Sequence, residues 1–567
     1  MPVSTGGGFQ AARERVPQYQ RLLMSRVVLA CLLFLGAQAS PAQNQPERVE
    51  WFRDLGLGLF IHWSLDSQLT SVISHSMVGA DEAYMERYVN ELPRSFNPKD
   101  FDPREWARVA RLAGFRYVVF TAKHHSGFCM FETATTDFNI MNTPFARDTA
   151  KEIADAFRAE GIAVGWYFSP DDFHFLYRQG TLVSRLRAEA LPPKNPGLLA
   201  LNLAQERELM TNYGRIDIVF FDPPTNAALE RDTIVHEMKR QIWEISPETV
   251  ITRGEIETPE QYTPGVPLEG AWEGNMTMGT QWQYRGTNEH YKSGRELIGA
   301  WIETRAKGGN FLLNIGPMPS GRLPVEQEAR MREMALWHMV NAEAVGAVRP
   351  WVITNEGDIW LTKAKDADTV YAFVPGADWG WGTQKTVVLK SVTAGESTTV
   401  RVLGQNEQVL EYRPDITPRT EWEQTSEGLR IRAYRAQRLY NDRHWPNPVV
   451  LRIGGALPGL EPPEVETLPN AEWSARGTTL AGELRALGDA TSVRVGFEYR
   501  RKKSTAEMYE PDDPWKQVGK KLAGMSAPGS FSASLPRLDT RRDWEYRAVV
   551  VHPKVRLYGQ TAVLQAR

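Results

Sequence analysis

Seven short apolar runs in the first 350 residues end in side chains able to do acid–base or nucleophilic work. His62 follows LGLFI, and Lys123, His124 and His125 follow YVVFTA. Tyr167 and Ser169 lie at the end of IAVGWYFS, and Asp222 closes IDIVFF. Arg253 and Glu255 follow TVIT, Glu273 lies in GAWEGN, and Asn314 in NFLLNIGP. Paired carboxylates among histidines and aromatics, without a thiol, suit glycoside hydrolysis. One carboxylate attacks or activates water while the other protonates the departing oxygen. Asp222 is the nucleophile candidate, because an apolar run precedes it and Pro223-Pro224 stop the chain behind it. For the proton donor the sequence offers Glu255, Glu257, Glu260 and Glu273. The first three lie in a polar, turn-rich loop, whereas Glu273 stands beside Trp272, an apolar setting that raises a carboxyl pKa. Arg253 can hold a carboxylate or a sugar hydroxyl.

A metal centre is not expected, and neither is any other cofactor. Adjacent strand residues point to opposite faces, so His124 and His125 cannot share an ion unless the strand end bends. The His-x-His pair of a barrel metallohydrolase is absent from FIHWS. Neutral histidines donating to sugar hydroxyls fit better.

These residues need a scaffold that brings strand ends together. The runs 57–63, 117–125, 162–169, 216–222, 249–255, 270–275 and 310–317 alternate with amphipathic stretches such as REWARVARLA. Continuous apolar strands separated by helices predict a parallel sheet covered on both faces. About 300 residues of this pattern predict an α/β fold, a (β/α) TIM-like barrel with its C-terminal strand ends around one mouth. After Trp351 the helical pattern stops. Alternating runs predict one β-sandwich over 350–454, a Pro/Gly-rich joint at 454–463, and a second, immunoglobulin-like β-domain over 462–567.

The chain has 567 residues, 42% hydrophobic and 24% charged, with a formal net charge of −3. That balance excludes disorder and lacks the basic excess of a nucleic-acid binder. Residues 24–42 read as a secretion signal: Arg26, then an apolar run from Val27 to Ala37 too short to span a bilayer, then small residues. The 23 residues before it look like an upstream start. VLAC, ending at Cys31, also resembles a lipidation signal. The expected location is therefore exported, periplasmic or extracellular, with no membrane span. Cleavage would leave Cys129 as the single cysteine, so no internal disulfide is expected. Self-association into a homo-oligomer stays open.

Taken together, LGLFIHWS, FDPREWARVARLAGFRYVVFTAKHHSGF, GWYFS, DIVFFD, TPEQ, WEGNMTMGTQWQY and KGGNFLLNIGP resemble the α-L-fucosidases of glycoside hydrolase family 29 over residues 50–345. The resemblance implies a barrel followed by a β-sandwich, and hydrolysis of terminal α-L-fucosides with retention through a glycosyl-aspartate. It implies that Asp222 is the nucleophile, that His62, His124, His125 and Tyr167 bind the sugar, and that Arg253 lines the pocket. For the acid/base, Glu260 in TPE matches one branch of the family, while Glu273 lies in the widespread Trp-Glu motif, so both stay candidates. Trp63, Phe168 or Trp272 are expected to wall the sugar's methyl group.

The chain departs from the family pattern at Ser126, where Asp is usual, and at Ser64, where Gly is usual. It also lacks a Glu-Trp-Tyr motif after the first strand, and FDPP replaces the usual FDG. His75 and His174 are candidates for an altered pocket wall. The same chemistry on another sugar, such as an α-galactoside, and a non-catalytic carbohydrate-binding protein are the alternatives.

Overall fold

The computed structural model describes residues 43–224, 231–439 and 446–567, apart from a few positions within 470–476, 505–511 and 536–537. The expected secretion signal and Cys31 lie outside the described residues.

Among the described residues, seven parallel strands form a curled sheet: β1 (Leu57–Ile61), β2 (Tyr117–Lys123), β3 (Ala163–Phe168), β4 (Ile218–Phe221), β5 (Val250–Ile251), β6 (Glu273–Thr277) and β7 (Asn310–Ile315). Their spatial order is β5-β4-β3-β2-β1-β7-β6. Every residue of β1, β2, β4 and β7 is buried, as continuous apolar runs require of strands covered on both faces.

The gap between β5 and β6 is spanned by an irregular segment rather than a strand. Residues 257–261 run parallel to β6, with Glu273 N–H donating to Glu257 O at 2.9 Å, Asn275 N–H to Pro259 O at 2.9 Å and Gln261 N–H to Asn275 O at 2.8 Å. This segment fills the eighth position of the ring.

Helices are started by side chains suited to it. Asp102 accepts from the N–H groups of Arg104 and Glu105 ahead of helix Pro103–Ala113, and Ser293 and Glu296 form a capping box at helix Gly294–Ala306.

The period of two along each strand decides what reaches the mouth. Phe60, Tyr117, Val119, Tyr167, Ile218, Phe220 and Leu312 form the barrel interior. Two residues beyond Phe60 comes His62, beyond Phe220 Asp222, and beyond Leu312 Asn314. At the opposite end, Gly58 makes room for the Tyr117 ring, since a Cβ there would stand 2.2 Å from it.

Beyond the barrel, antiparallel strands between Val348 and Pro458 form a five-stranded and a three-stranded sheet, and those from Glu464 to Leu564 form two further antiparallel sheets. The joint expected at 454–463 begins later than the sequence implies. Strand Val449–Pro458 carries the chain through Gly454 and Gly455, leaving only 459–463 as connection. Gly455 has φ +64, and a Cβ there would meet Ser397, so this glycine serves an irregular strand and not a linker.

Candidate active site

A cavity of about 190 Å³ opens at the C-terminal ends of the strands. It is smaller than the ~300–1,000 Å³ typical of drug-sized ligands and suits one sugar ring. His62, His124, His125, Tyr167, Asp222, Arg253 and Glu260 all line it. Phe60, Phe220 and Trp282 supply its aromatic surface.

Asp222 sits at the centre of the polar groups. Its Oδ2 accepts from the Tyr167 hydroxyl at 2.7 Å and stands 3.4 Å from His125 Nε2. Its Oδ1 accepts from Arg253 Nη1 at 3.0 Å, and the other terminal nitrogen of that guanidinium donates to Glu260 Oε2 at 2.8 Å. One arginine therefore bridges the two carboxylates. Glu260 stays 45% exposed against 17% for Asp222, so its outer side is open to water.

Burial alone would raise the Asp222 pKa, but the Arg185 and Arg253 guanidiniums outweigh it and hold the carboxyl well below the usual range. His62, His124 and His125 are neutral. Burial holds His124 and His125 well below the ordinary imidazole value and takes His62 down to about 3. Of the three, only His125 approaches Asp222 directly, with Nε2 3.4 Å from Oδ2, while His124 reaches it through the Tyr167 hydroxyl.

Hydrogen bonds fix two of the tautomers. His124 Nδ1 accepts from the His125 backbone N–H at 2.9 Å, so Nε2 carries the proton and donates to the Tyr167 oxygen at 3.0 Å. Asn314 donates its amide to Trp282 O at 2.5 Å and presents Oδ1 to His62 Nδ1 at 2.6 Å. His62 must donate there, which leaves Nε2 as an acceptor. This corrects the expectation that all the histidines act as donors: His62 would receive a hydroxyl proton.

The strand end after β2 does bend. The chain turns at Gly127 (φ +85), whose N–H donates to His124 O at 3.0 Å, and a Cβ there would stand 2.1 Å from Asp172 Oδ1. His124 and His125 thereby face the same cavity, with ring centroids 4.2 Å apart. Ring nitrogens of both and an Asp222 oxygen fall within 4.8 Å of one another. Two guanidiniums beside Asp222 already supply positive charge, and His124 has both nitrogens engaged. The trio is built to hold an ionised carboxylate rather than a cation.

Several sequence expectations about placement need correction. Glu273 faces the barrel interior at its N-terminal end, one inward layer beneath the cavity. It is fully buried, accepts from the Tyr117 hydroxyl at 2.6 Å, and burial pushes its pKa up to about 7. Asn275, two residues on, is the β6 residue that reaches the pocket. Trp272 points the other way. Its indole lies against Gly309, where a Cβ would be 2.4 Å away, and donates to Lys307 O at 3.3 Å.

Trp63 packs among Phe96, Phe101 and Trp106, and Phe168 lies beneath Lys123. Phe60, Phe220 and Trp282 replace them as the wall. Lys123 also leaves the mouth, donating to Asn202 Oδ1 at 2.8 Å with Asp172 at 3.4 Å, and Glu255 pairs with Lys239. His174 packs at a tilt against Phe138, ring centroids 4.6 Å apart, whereas His75 and Ser74 enter the pocket from the segment that lacks the expected motif.

The other departures are mild. Ser64 has φ −154, extended backbone that needs no glycine, and Ser126 closes a turn by accepting from Phe128 N–H at 3.3 Å.

Arg185 was not legible in the sequence. It lies in the long connection from β3 to β4, outside any strand end. Its Nε donates to the buried Asp171 at 2.6 Å and its Nη2 to the Asp222 backbone oxygen at 2.9 Å. Asp171 in turn stands 3.4 Å from His125 Nδ1, which is 2.6 Å from Ser169 Oγ. The only signal in the sequence is Asp171-Asp172, an acidic pair separated by two residues from the end of a buried strand.

A barrel mouth in which one carboxylate is kept dry and ionised while a second faces water is the arrangement of a glycoside hydrolase. Comparison with known proteins makes this specific. The model of the alpha-L-fucosidase family matches residues 37–343, and the chain belongs to that family. Plasma alpha-L-fucosidase of Rattus norvegicus is 28% identical over 365 residues, covering 57% of this chain and 76% of its own. Alpha-L-fucosidase of Branchiostoma floridae is 28% identical over 420 residues, covering 68% and 90%.

Among solved structures, alpha-L-fucosidase isoenzyme 1 from Paenibacillus thiaminolyticus superposes with a TM-score of 0.58 at 26% identity, covering 72% of this chain and 98% of its own. A family 29 alpha-L-fucosidase from Bacteroides thetaiotaomicron, solved as a trapped covalent intermediate, shares the fold with a TM-score of 0.55 at 21% identity, covering 72% and 96%.

Proposed function

We propose that the chain hydrolyses terminal α-L-fucosides of glycans with retention of configuration. Asp222 attacks the anomeric carbon from the floor of the cavity, forming a glycosyl-aspartate. Glu260 protonates the departing oxygen and then, as a base, activates the water that releases the sugar. Tyr167, His62, His124, His125 and Arg253 hold the ring and the nucleophile, and Phe60, Phe220 and Trp282 receive its apolar face.

One observation carries this reading. Arg253 bridges Asp222 and Glu260, so the two carboxylates flank one sugar-sized space, one desolvated and one in contact with water. Glu273 lies one inward layer below that space, accepting from the Tyr117 hydroxyl. The trapped intermediate reported for the Bacteroides relative agrees with a covalent mechanism.

We assign residues 43–349 to catalysis, 350–454 to a β-sandwich and 462–567 to a fibronectin type III-like module. We place the mature chain outside the cytoplasm, since residues 24–42 read as an export signal and a relative is a plasma enzyme. Among the described residues no helix is long and apolar enough to cross a membrane.

The test is a panel of aryl glycosides, α-L-fucoside and α-D-galactoside included, with the anomer first released followed by NMR. Cleavage of the fucoside to the retained anomer, lost on the order of 10³-fold or more in Asp222→Asn, supports the assignment. Glu260→Gln should lose most on leaving groups that need a proton and least on a nitrophenolate. Release of the inverted anomer would overturn the mechanism, and turnover of the galactoside alone would move the activity to another sugar.

A further inference from the structure

A second, larger hollow of about 730 Å³ lies beside the sugar pocket, between segments 77–85 and 177–187. The same two stretches wall both spaces. Ser74 and His75 line the pocket while Met77 and Val78 line the hollow; Arg185 lines the pocket while Ser184 and Arg187 line the hollow. The Tyr177 hydroxyl donates to Glu82 Oε1 at 2.8 Å and struts one wall against the other.

Its position in the ring decides what it could hold. These segments follow β1 and β3 and meet above the end of β2. Glu260 belongs to the irregular segment in the eighth position, between β5 and β6, diametrically across the mouth from β2. A leaving group protonated by Glu260 departs on that side. The hollow therefore lies on the opposite side of the mouth, and a unit attached to a ring hydroxyl on that side would extend toward it.

The lining is amphipathic. Met77, Val78 and Leu182 offer apolar surface, with Leu182 67% exposed, while Thr181, Arg178 and Arg187 supply polar groups. A pyranose has apolar ring faces and a polar edge, and such a mixture suits it better than it suits an acyl chain.

We propose that this hollow receives a further glycosyl unit attached to a ring hydroxyl of the bound sugar, so that the enzyme releases substituted as well as unsubstituted terminal sugars. The proposal rests on the fucosidase reading above. Its test uses an aryl α-L-fucoside and three analogues that each carry one hexosyl unit on a different ring hydroxyl.

The wild type should cleave at least one analogue with kcat/KM within about tenfold of the parent. Leu182→Trp, which fills the hollow from an exposed position, should lower kcat/KM for that analogue by about tenfold or more while the parent stays within twofold. Val78→Trp, from the facing wall, should reproduce the effect, and unchanged thermal unfolding midpoints exclude misfolding. Rejection of all three analogues by a wild type that cleaves the parent overturns the proposal and leaves the fucosidase reading standing. Equal losses on parent and analogue in both variants, or no loss on either, overturn it as well. Inertness toward the parent removes both.

Discussion

The hydroxyl of Tyr167 donates to Oδ2 of Asp222 at 2.7 Å while accepting a proton from His124 Nε2 at 3.0 Å. Burial first, and the Asp222 charge second, push the phenol well above its ordinary pKa, so it remains a donor at every working pH. Tyr167→Phe should lower kcat by about 10–100-fold, because a desolvated carboxylate loses a partner and His124 loses its acceptor. Steady-state kinetics on the aryl fucoside check this; an unchanged kcat would mean the hydroxyl takes no part.

Arg185→Gln should reshape the pH profile more than the fold. In the proposed mechanism Asp222 is ionised when it attacks, and two guanidiniums offset the burial that would otherwise raise its pKa. With Arg185 gone, the Asp222 pKa rises, and the acidic limb of kcat/KM should move upward. Arg185→Lys should restore part of the shift. A limb that does not move assigns Arg185 to structure alone.

Glu273→Gln should separate stability from activity. Its carboxyl, fully buried, has a folded-state pKa of about 7 against 4.5 for the free group. The folded state therefore binds the extra proton, and wild-type stability should fall as pH rises from about 4.5 to 7 and level off above it, by up to about 3 kcal/mol. The variant lacks the Glu273 share of that slope and keeps the share of Asp66 and Asp171, which burial also raises to about 7. Urea unfolding at pH 5 and pH 8 measures it, and a 10³-fold loss of kcat in a folded Glu273→Gln would instead return this residue to the chemistry.

The two tryptophans of the WEGNMTMGTQWQY stretch should behave oppositely. Trp282 lines the cavity 5.0 Å from the His62 ring, so Trp282→Ala should cut kcat/KM by about tenfold or more. Trp272 is buried against Gly309, so Trp272→Phe should lower the unfolding midpoint by an amount equivalent to about 1–3 kcal/mol and leave KM alone. Thermal unfolding alongside kinetics distinguishes them; a KM effect in Trp272→Phe would contradict its placement.

Most of the barrel could be read from the chain because each buried strand writes an unbroken apolar run, and because a strand's period of two carries His62, Asp222 and Asn314 to the mouth. Glu273 defeated the same logic. It begins its strand where Asp222 follows one, and a run of apolar neighbours does not say which end is which. Trp272 failed by one residue of phase: its strand neighbour Glu273 points inward, so the indole must point out. The bend after Lys123 depends on a left-handed glycine fitted against Asp172, a tertiary contact with no local signature beyond Gly127 itself. Arg185 comes from a connection with no period to follow, and only folding brings it to Asp222.

The irregular segment in the eighth position also bears on how such an enzyme can change. Asp222 extends a strand paired on both sides, by β3 and β5, so shifting it would misalign two ladders. Glu260 is carried by a stretch whose backbone bonds run to β6, with only a local contact toward Arg253. Insertions or deletions there would relocate Glu260 while the barrel keeps its closure. The proposed nucleophile thus stands on the rigid side of the pair, and the proposed acid/base on the side that tolerates a change in chain length.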